Sequence, residues 1–234
     1  MSLRTLAIDT SLASGSVVAT DADRLVEIEL PDTGAHARRI AAALEQAANA
    51  LGWRAGDVDL VAVIRGPGSF TGLRVGLSTA KALAWAAEAA LVGVSGFEAI
   101  ALRGCRHGEV PSGPLHIAYD AGRGEVFVTE ATPDRGAASG FSLTTPRLVV
   151  VAEWLANLPR GAIVTGPGLD ACAAELGCRD DLTVAPHAAR LPSARDAAEL
   201  ALRLHAAGIR HAPESLAPDY LRPSYADESG HRPD

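Results

Sequence analysis

Residues 6–20 read LAIDTSLASGSVVAT, and residues 117–130 read IAYDAGRGEVFVTE. Each is an apolar run ending in an aspartate, then a glycine-containing turn, then a second β-rich run, which is the pattern of a two-stranded hairpin. A second echo follows in the same order: IRGPGSFTGLRVGL at 64–77 and VTGPGLDACAAEL at 164–176 both pass from a strand through Gly-Pro-Gly into a helix. Two echoes in one order imply a ββ-β-α-β-α unit used twice, and hence two lobes. The runs 3–9, 15–20 and 25–30 predict three strands, and 59–64 and 90–94 two more. Residues 36–51 predict a helix with Ile40, Leu44, Ala47 and Leu51 on one face. A strand meander followed by alternating helices and strands predicts an α/β fold with mixed sheets flanked by helices. A linker expected at 103–113 divides a first lobe, 1–104, from a reduced second lobe, 105–212, whose residues 133–145 show no third strand. Residues 194–207 read as an amphipathic helix. Residues 213–234 read as a tail that packs back on the first lobe through Leu216, Tyr220 and Leu221 and frays after Ala226.

Composition narrows the function classes. Of 234 residues 48% are apolar but only 4% aromatic, so alanine-rich helices packed closely over modest sheets are expected. A net charge of -7 without any basic run argues against a surface that grips nucleic acid by itself. Cys105, Cys172 and Cys178 are odd in number and lack metal-ligand spacing, which fits reduced thiols in a cytoplasmic protein. No apolar stretch reaches a membrane span, so no membrane partner is expected.

The aspartate-ended hairpins suggest the two lobes of the actin-like, ribonuclease-H-like superfold (the fold of actin-like kinases and heat-shock ATPases). Two readings stand for its hairpin residues. Asp9, Thr10 and Ser11 in the first lobe and Asp120 in the second either contact nucleotide phosphates and a metal or water, or simply cap their own turns. The Gly66-Pro67-Gly68-Ser69 turn is not a P-loop, because Gly72 is followed by Leu73 and Arg74 rather than by lysine and a hydroxyl. In the helix after it, Gly72, Gly76, Ala80 and Ala84 recur every fourth residue and draw a smooth stripe. Interior glycines cost about 0.5–1 kcal/mol each relative to alanine, so a close-packed neighbour is expected. That neighbour is either the chain's own sheet or a partner helix. The sequence reading takes the partner, and with it the expectation that Gly76→Leu keeps its fold and loses association. Catalytic groups are not visible. His36, His107, His116, His187, His205, His211 and His231 form no metal-binding pair, and no G-x-S-x-G elbow occurs.

The residues GPGSFTGLRVGLSTAKALA, with DTS after the first strand, are similar to the signature of the TsaB proteins. HARRIAAALEQAANALG, VSGFEAIA, DAGRGEVF and PDYLRP extend the resemblance over the whole chain in order. The TsaD proteins, catalytic paralogues of TsaB, carry H-x-x-x-H after the fifth strand, where this chain has Gly96 and Ile100. The resemblance therefore implies TsaB rather than TsaD, and with it no catalytic residue, no metal and no cofactor. It implies a scaffold that binds and activates a TsaD-like subunit, which transfers threonylcarbamoyl to the adenosine beside the anticodon of ANN-decoding tRNAs. It further implies a TsaE-like ATPase in a ternary complex, a homodimer when alone, and tRNA met only through the complex. The implied interface lies on the two helices of the first lobe, at His36, Arg39, Ile40, Ala43, Gly72, Gly76, Thr79, Ala80 and Leu83. Against it stands an ATP-dependent small-molecule kinase, kept open by Asp9, Thr10 and Asp120.

Overall fold

The computed structural model describes residues 3–30, 36–106 and 113–222. The first half forms β1 (Thr5–Asp9), β2 (Gly15–Asp21), β3 (Arg24–Leu30), α1 (His36–Ala50), β4 (Leu60–Gly66), α2 (Phe70–Ala86), β5 (Ala90–Ser95) and α3 (Gly96–Arg106). Its sheet runs β3-β2-β1-β4-β5. Short turns make β1, β2 and β3 antiparallel, while the helical crossovers add β4 and β5 in parallel. The strand sequences follow their places. Central β1 (TLAID) is buried on both faces and apolar almost throughout, whereas edge strand β3 (RLVEIEL) alternates between half-buried and exposed positions and is buried only at Leu30.

The second half forms β6 (Leu115–Gly122), β7 (Glu125–Pro133), β8 (Phe141–Leu143), β9 (Arg147–Val150), α4 (Val151–Asn157), β10 (Ile163–Thr165), α5 (Ala173–Leu176), β11 (Thr183–Val184), α6 (His187–Arg190) and α7 (Ala194–Ala206). Its sheet runs β11-β10-β6-β7-β8, with β9 also on β7. Read from the other edge, this is the order of the first sheet, and the parallel and antiparallel pairings match strand for strand. The repeated unit is thus a repeated topology. One expectation is corrected: the third strand of the second lobe exists as β8, three residues long, too short for its alternation to show in sequence.

Alternation along the strands divides the first lobe's apolar residues between two faces. Leu6, Ile8, Val61 and Val63 pack with Ile40, Leu44, Leu77, Ala80 and Ala84 of α1 and α2. Ala7, Ala62, Ile64, Val92 and Val94 point the other way into a core shared with α3, α7, and Ile117 and Tyr119 of the second sheet. Helix α7, the last helix of the expected second lobe 105–212, lies in this shared core. Helix α7 packs on β1, β2, β4 and β5 of the first sheet and on α3, and the backbone N–H of Ala194 donates to Ser16 Oγ at 2.9 Å. Its amphipathic pattern dictates that one face is buried, without saying against which lobe. Asp196, fully buried, ties α7 to α3: it accepts from Arg103 Nη1 at 3.0 Å, from Arg106 Nη1, and from Ser193 Oγ at 2.8 Å. The expected linker falls largely on residues 107–112, and the expected fraying after Ala226 on residues 223–234, both outside the described residues.

Candidate functional site

The Gly-Pro-Gly-Ser turn follows β4 and starts α2 beneath the first hairpin. Ser69 is the N-cap of α2, its Oγ accepting from Gly72 N at 3.3 Å, and its own N–H donates to Ser11 O at 2.7 Å. A Cβ on Gly68 would collide with the Ser11 backbone, one on Gly72 with Thr10 O, and one on Gly76 with Thr10 Oγ1. Thr10 Oγ1 in turn donates to Gly72 O at 2.7 Å. The glycines therefore let the hairpin turn and the helix touch backbone to backbone.

The same geometry shows what the side chains of the first hairpin bond to within the chain. Asp9, Thr10 and Ser11 are buried, and Asp9 Oδ1 accepts from Ser11 N at 2.8 Å and Ser11 Oγ at 2.7 Å. Their side chains close the turn and face the interior. Asp120 lies on the surface, where its Oδ1 accepts from Gly122 N at 2.8 Å in the same turn-closing manner.

The stripe is also corrected. Gly72, Gly76, Ala80 and Ala84 are buried, with Gly76 opposite Ile8 and Val63 of the chain's own sheet. The close-packed neighbour is internal. On α1, Ile40 and Ala43 are likewise buried against the sheet, while Arg39 is exposed; the side chain of His36 lies outside the described residues. Of the interface residues implied by the resemblance, Arg39, Thr79 and Leu83 reach the surface wholly or in part.

What α2 presents outward is a different set. Phe70, Arg74, Ser78, Ala82 and Trp85 are all exposed and follow at spacings of four, four, four and three, one broad helical face. Phe70 is 45% exposed and Trp85 77%. A shallow groove runs along this face, lined by Phe70, Thr71, Arg74, Val75, Ser78 and Thr79. Sequence reasoning passed over Phe70, Arg74 and Trp85. The available signal was two large aromatic residues on a helix whose other faces were already accounted for.

The positions at which the resemblance would place the histidines of TsaD proteins are packing positions here. Ile100 is fully buried in the shared core, and a Cβ on Gly96 would stand 2.5 Å from Tyr119 Oη. Tyr119 meets Phe97 edge-on, with ring centroids 5.0 Å apart. Burial, with the negative charges of Asp9 and Asp196 nearby, pushes the Tyr119 phenol well above its ordinary range and keeps it neutral. The Cys172 thiol, pushed up to about 11 chiefly by burial, is an inert core group rather than a nucleophile. Among the described residues no group of three or more His, Cys, Asp or Glu is arranged to hold a metal ion, and no helix is long and apolar enough to cross a membrane.

Comparisons with known proteins agree with this picture. The family model described as "TsaD: tRNA N6-adenosine threonylcarbamoyltransferase" matches residues 32–175, more than half of the chain. The tRNA threonylcarbamoyladenosine biosynthesis protein TsaB of Escherichia coli (strain K12) is 31% identical over 229 residues, which cover 96% of each chain. The protein of the same name from Bacillus subtilis (strain 168) is 33% identical over 102 residues, 44% of this chain and 42% of that one. Among solved structures, YeaZ from Pseudomonas aeruginosa superposes with a TM-score of 0.79 over 94% of this chain and 100% of its own, at 24% identity, which shows a shared fold.

Proposed function

The chain belongs to the TsaB family, and from that premise we propose that it is a non-catalytic subunit in tRNA threonylcarbamoyladenosine biosynthesis. Its task in this reading is to bind and activate a TsaD-type threonylcarbamoyltransferase through the outward faces of α1 and α2. The observation that carries the proposal is the division of α2 into two faces. The inner face is consumed by the chain's own sheet, while the outer face exposes Phe70 and Trp85 with Arg74 between them. Aromatic and arginine side chains are the residues that dominate binding energy at protein interfaces. The absence of histidine at Gly96 and Ile100 supports assigning the chemistry to the partner. When the partner is absent, the same apolar face serves self-pairing; a TsaE-type ATPase joins the heteromer, and tRNA is met through the complex, consistent with a net charge of -7. The kinase alternative is the weaker reading at the first hairpin, where Asp9 Oδ1 bonds Ser11 within the turn and Thr10 Oγ1 bonds Gly72 O of α2.

The test is Ser78→Arg, at an exposed position in the middle of the groove. An exposed helical substitution changes stability by no more than about 0.5 kcal/mol, so the variant is expected to fold normally. Titration calorimetry against the TsaD-type subunit of the same organism should show affinity reduced at least about tenfold, about 1.4 kcal/mol. Unchanged affinity would place the interface elsewhere and overturn the proposal.

A further inference from the structure

After α7 the chain turns back across the first lobe as a strap, residues 211–222, that does three separate things. It first closes an open sheet edge. The backbone N–H of His211 donates to Leu91 O at 2.8 Å, and Gly93 N donates to His211 Nδ1 at 3.2 Å, so β5 gains partners on its free side. It then anchors itself. Leu216, 2% exposed, sits over Gly93, where a Cβ would stand 2.6 Å from Leu216 Cδ1. Asp219 N donates to Arg65 O at 2.8 Å, and Arg65 Nε pairs with Asp219 Oδ2 at 3.2 Å. Finally it reaches α2. The Tyr220 ring stacks on Phe70, with centroids 5.3 Å apart, and Arg74 Nε donates to Tyr220 Oη at 3.0 Å. The Arg74 guanidinium lies 3.8 Å from the centre of the Phe70 ring. Past this cluster, Arg222 donates to Ala121 O at 3.2 Å and pairs with Glu125, so the strap spans both lobes.

The third contact needs a reason of its own. The strap is anchored on both sides of it, at Asp219 and at Arg222, yet the cluster of Phe70, Arg74 and Tyr220 itself covers little core: Tyr220 is 44% exposed and Phe70 45%. What it does is hold two aromatic rings and a guanidinium in one arrangement at the mouth of the groove on α2. Side chains fixed in advance lose little conformational freedom when a partner arrives. We infer that the strap is a working part of the docking surface, with Tyr220 as a positioning residue that presents Phe70 and Arg74 to the TsaD-type subunit. The inference rests on the reading of the α1 and α2 face as the docking site. It adds that the site is composite, built from two segments 150 positions apart in the chain (Phe70 and Tyr220). The complementary surface would offer an apolar group to the rings and a carboxylate or carbonyl to Arg74.

The experiment uses the full chain and the TsaD-type subunit of the same organism in titration calorimetry, with circular dichroism as a check on folding. Tyr220→Ala is expected to weaken binding about tenfold. Tyr220→Phe, which keeps the stack and loses only the bond to Arg74, should stay within about threefold of the parent. Leu216→Ala, which loosens the anchor without touching the cluster, should weaken binding as Tyr220→Ala does. Ser78→Arg separates the two levels of the argument. If it abolishes binding while Tyr220→Ala and Leu216→Ala leave affinity unchanged, the docking face stands and the strap's role in it is overturned. Equal losses for Tyr220→Ala and Tyr220→Phe would overturn the stacking argument. If Ser78→Arg and Tyr220→Ala both bind normally, docking site and strap role fall together.

Discussion

Gly76→Ala adds a single methyl group where α2 crosses β1 and β4, and the structure fixes what that methyl meets. It would lie 3.5 Å from Ile8 Cγ2 and 3.6 Å from Val63 Cγ2, both ordinary contacts, but far inside the van der Waals contact distance to Thr10 Oγ1. The hydroxyl must then leave its 2.7 Å bond to Gly72 O, and Thr10 is 1% exposed, so solvent is not there to replace the partner. Two terms favour the variant: about 0.5–1 kcal/mol from removing a helical glycine and about 0.8 kcal/mol from one more buried methyl. Two oppose it: about 1–3 kcal/mol for an unsatisfied buried polar group and about 1–3 kcal/mol for overpacking. The opposing terms win by about 2 kcal/mol, a loss of about 4–8 °C in melting temperature for a chain of this size.

Urea denaturation of the two proteins measures the difference directly. A Thr10→Ala background sharpens the test, because there the clashing atom is gone and the penalty of Gly76→Ala should shrink by about 1 kcal/mol or more. A variant as stable as its parent, or more so, would refute the packing argument. Gly76→Leu must push further atoms between Ile8 and Val63, and it is expected to consume most of a typical 5–15 kcal/mol of folding stability (order of magnitude). The outcome expected is an unfolded protein, the reverse of what an outward-facing stripe requires.

Two further predictions concern stability. Asp196→Ala removes the acceptor for two guanidinium groups at the junction of α3 and α7 and should cost about 3 kcal/mol, read as a lowered urea midpoint. Burial is the main cause holding His116, His205 and His211 below their ordinary pKa of 6.5, so the unfolded chain takes up these protons first. Their contribution to stability is complete above pH 6.5 and is lost as pH falls through the lower folded values, so melting temperature should fall between about pH 7 and pH 5. Asp219 acts in the opposite sense, since burial raises it above 3.8 and its contribution is lost as pH rises through that raised value. Replacing His211 by asparagine should flatten the acid side of the profile; an unaltered slope would remove His211 from the account.

How much of this was legible beforehand depends on the range over which each contact is specified. The doubled topology was readable because it repeats local patterns, an aspartate-ended hairpin and a strand-Gly-Pro-Gly-helix, each within about fifteen residues. The face on which the Gly72–Ala84 stripe packs was not readable. Smooth helical surfaces admit a sheet or another helix equally, and the deciding atom is the hydroxyl of Thr10, 62 positions away. The same limit hid the place of α7, whose amphipathic pattern says that a face is buried but not by what. It hid the cluster of Phe70, Arg74 and Tyr220 entirely, because no pattern along the sequence joins residue 70 to residue 220.

The glycine-rich stretch is thus best understood as packing information. Gly68 and Gly72 admit the backbone of the β1–β2 turn and Gly76 admits Thr10 Oγ1, while a Cβ on Gly66 would stand 2.8 Å from Asp219 O of the strap. Each glycine makes room for a specific neighbour within the chain. A motif of this kind can persist in a catalytic protein and in a scaffold alike, because both must seat the same helix on the same hairpin. It therefore reports the fold and is silent on chemistry. The difference between the two kinds of protein has to be sought where packing leaves residues free to vary. In this chain those places are Gly96 and Ile100, where histidines would be needed, and the outer face of α2, where Phe70, Arg74 and Trp85 serve no internal contact that the core requires.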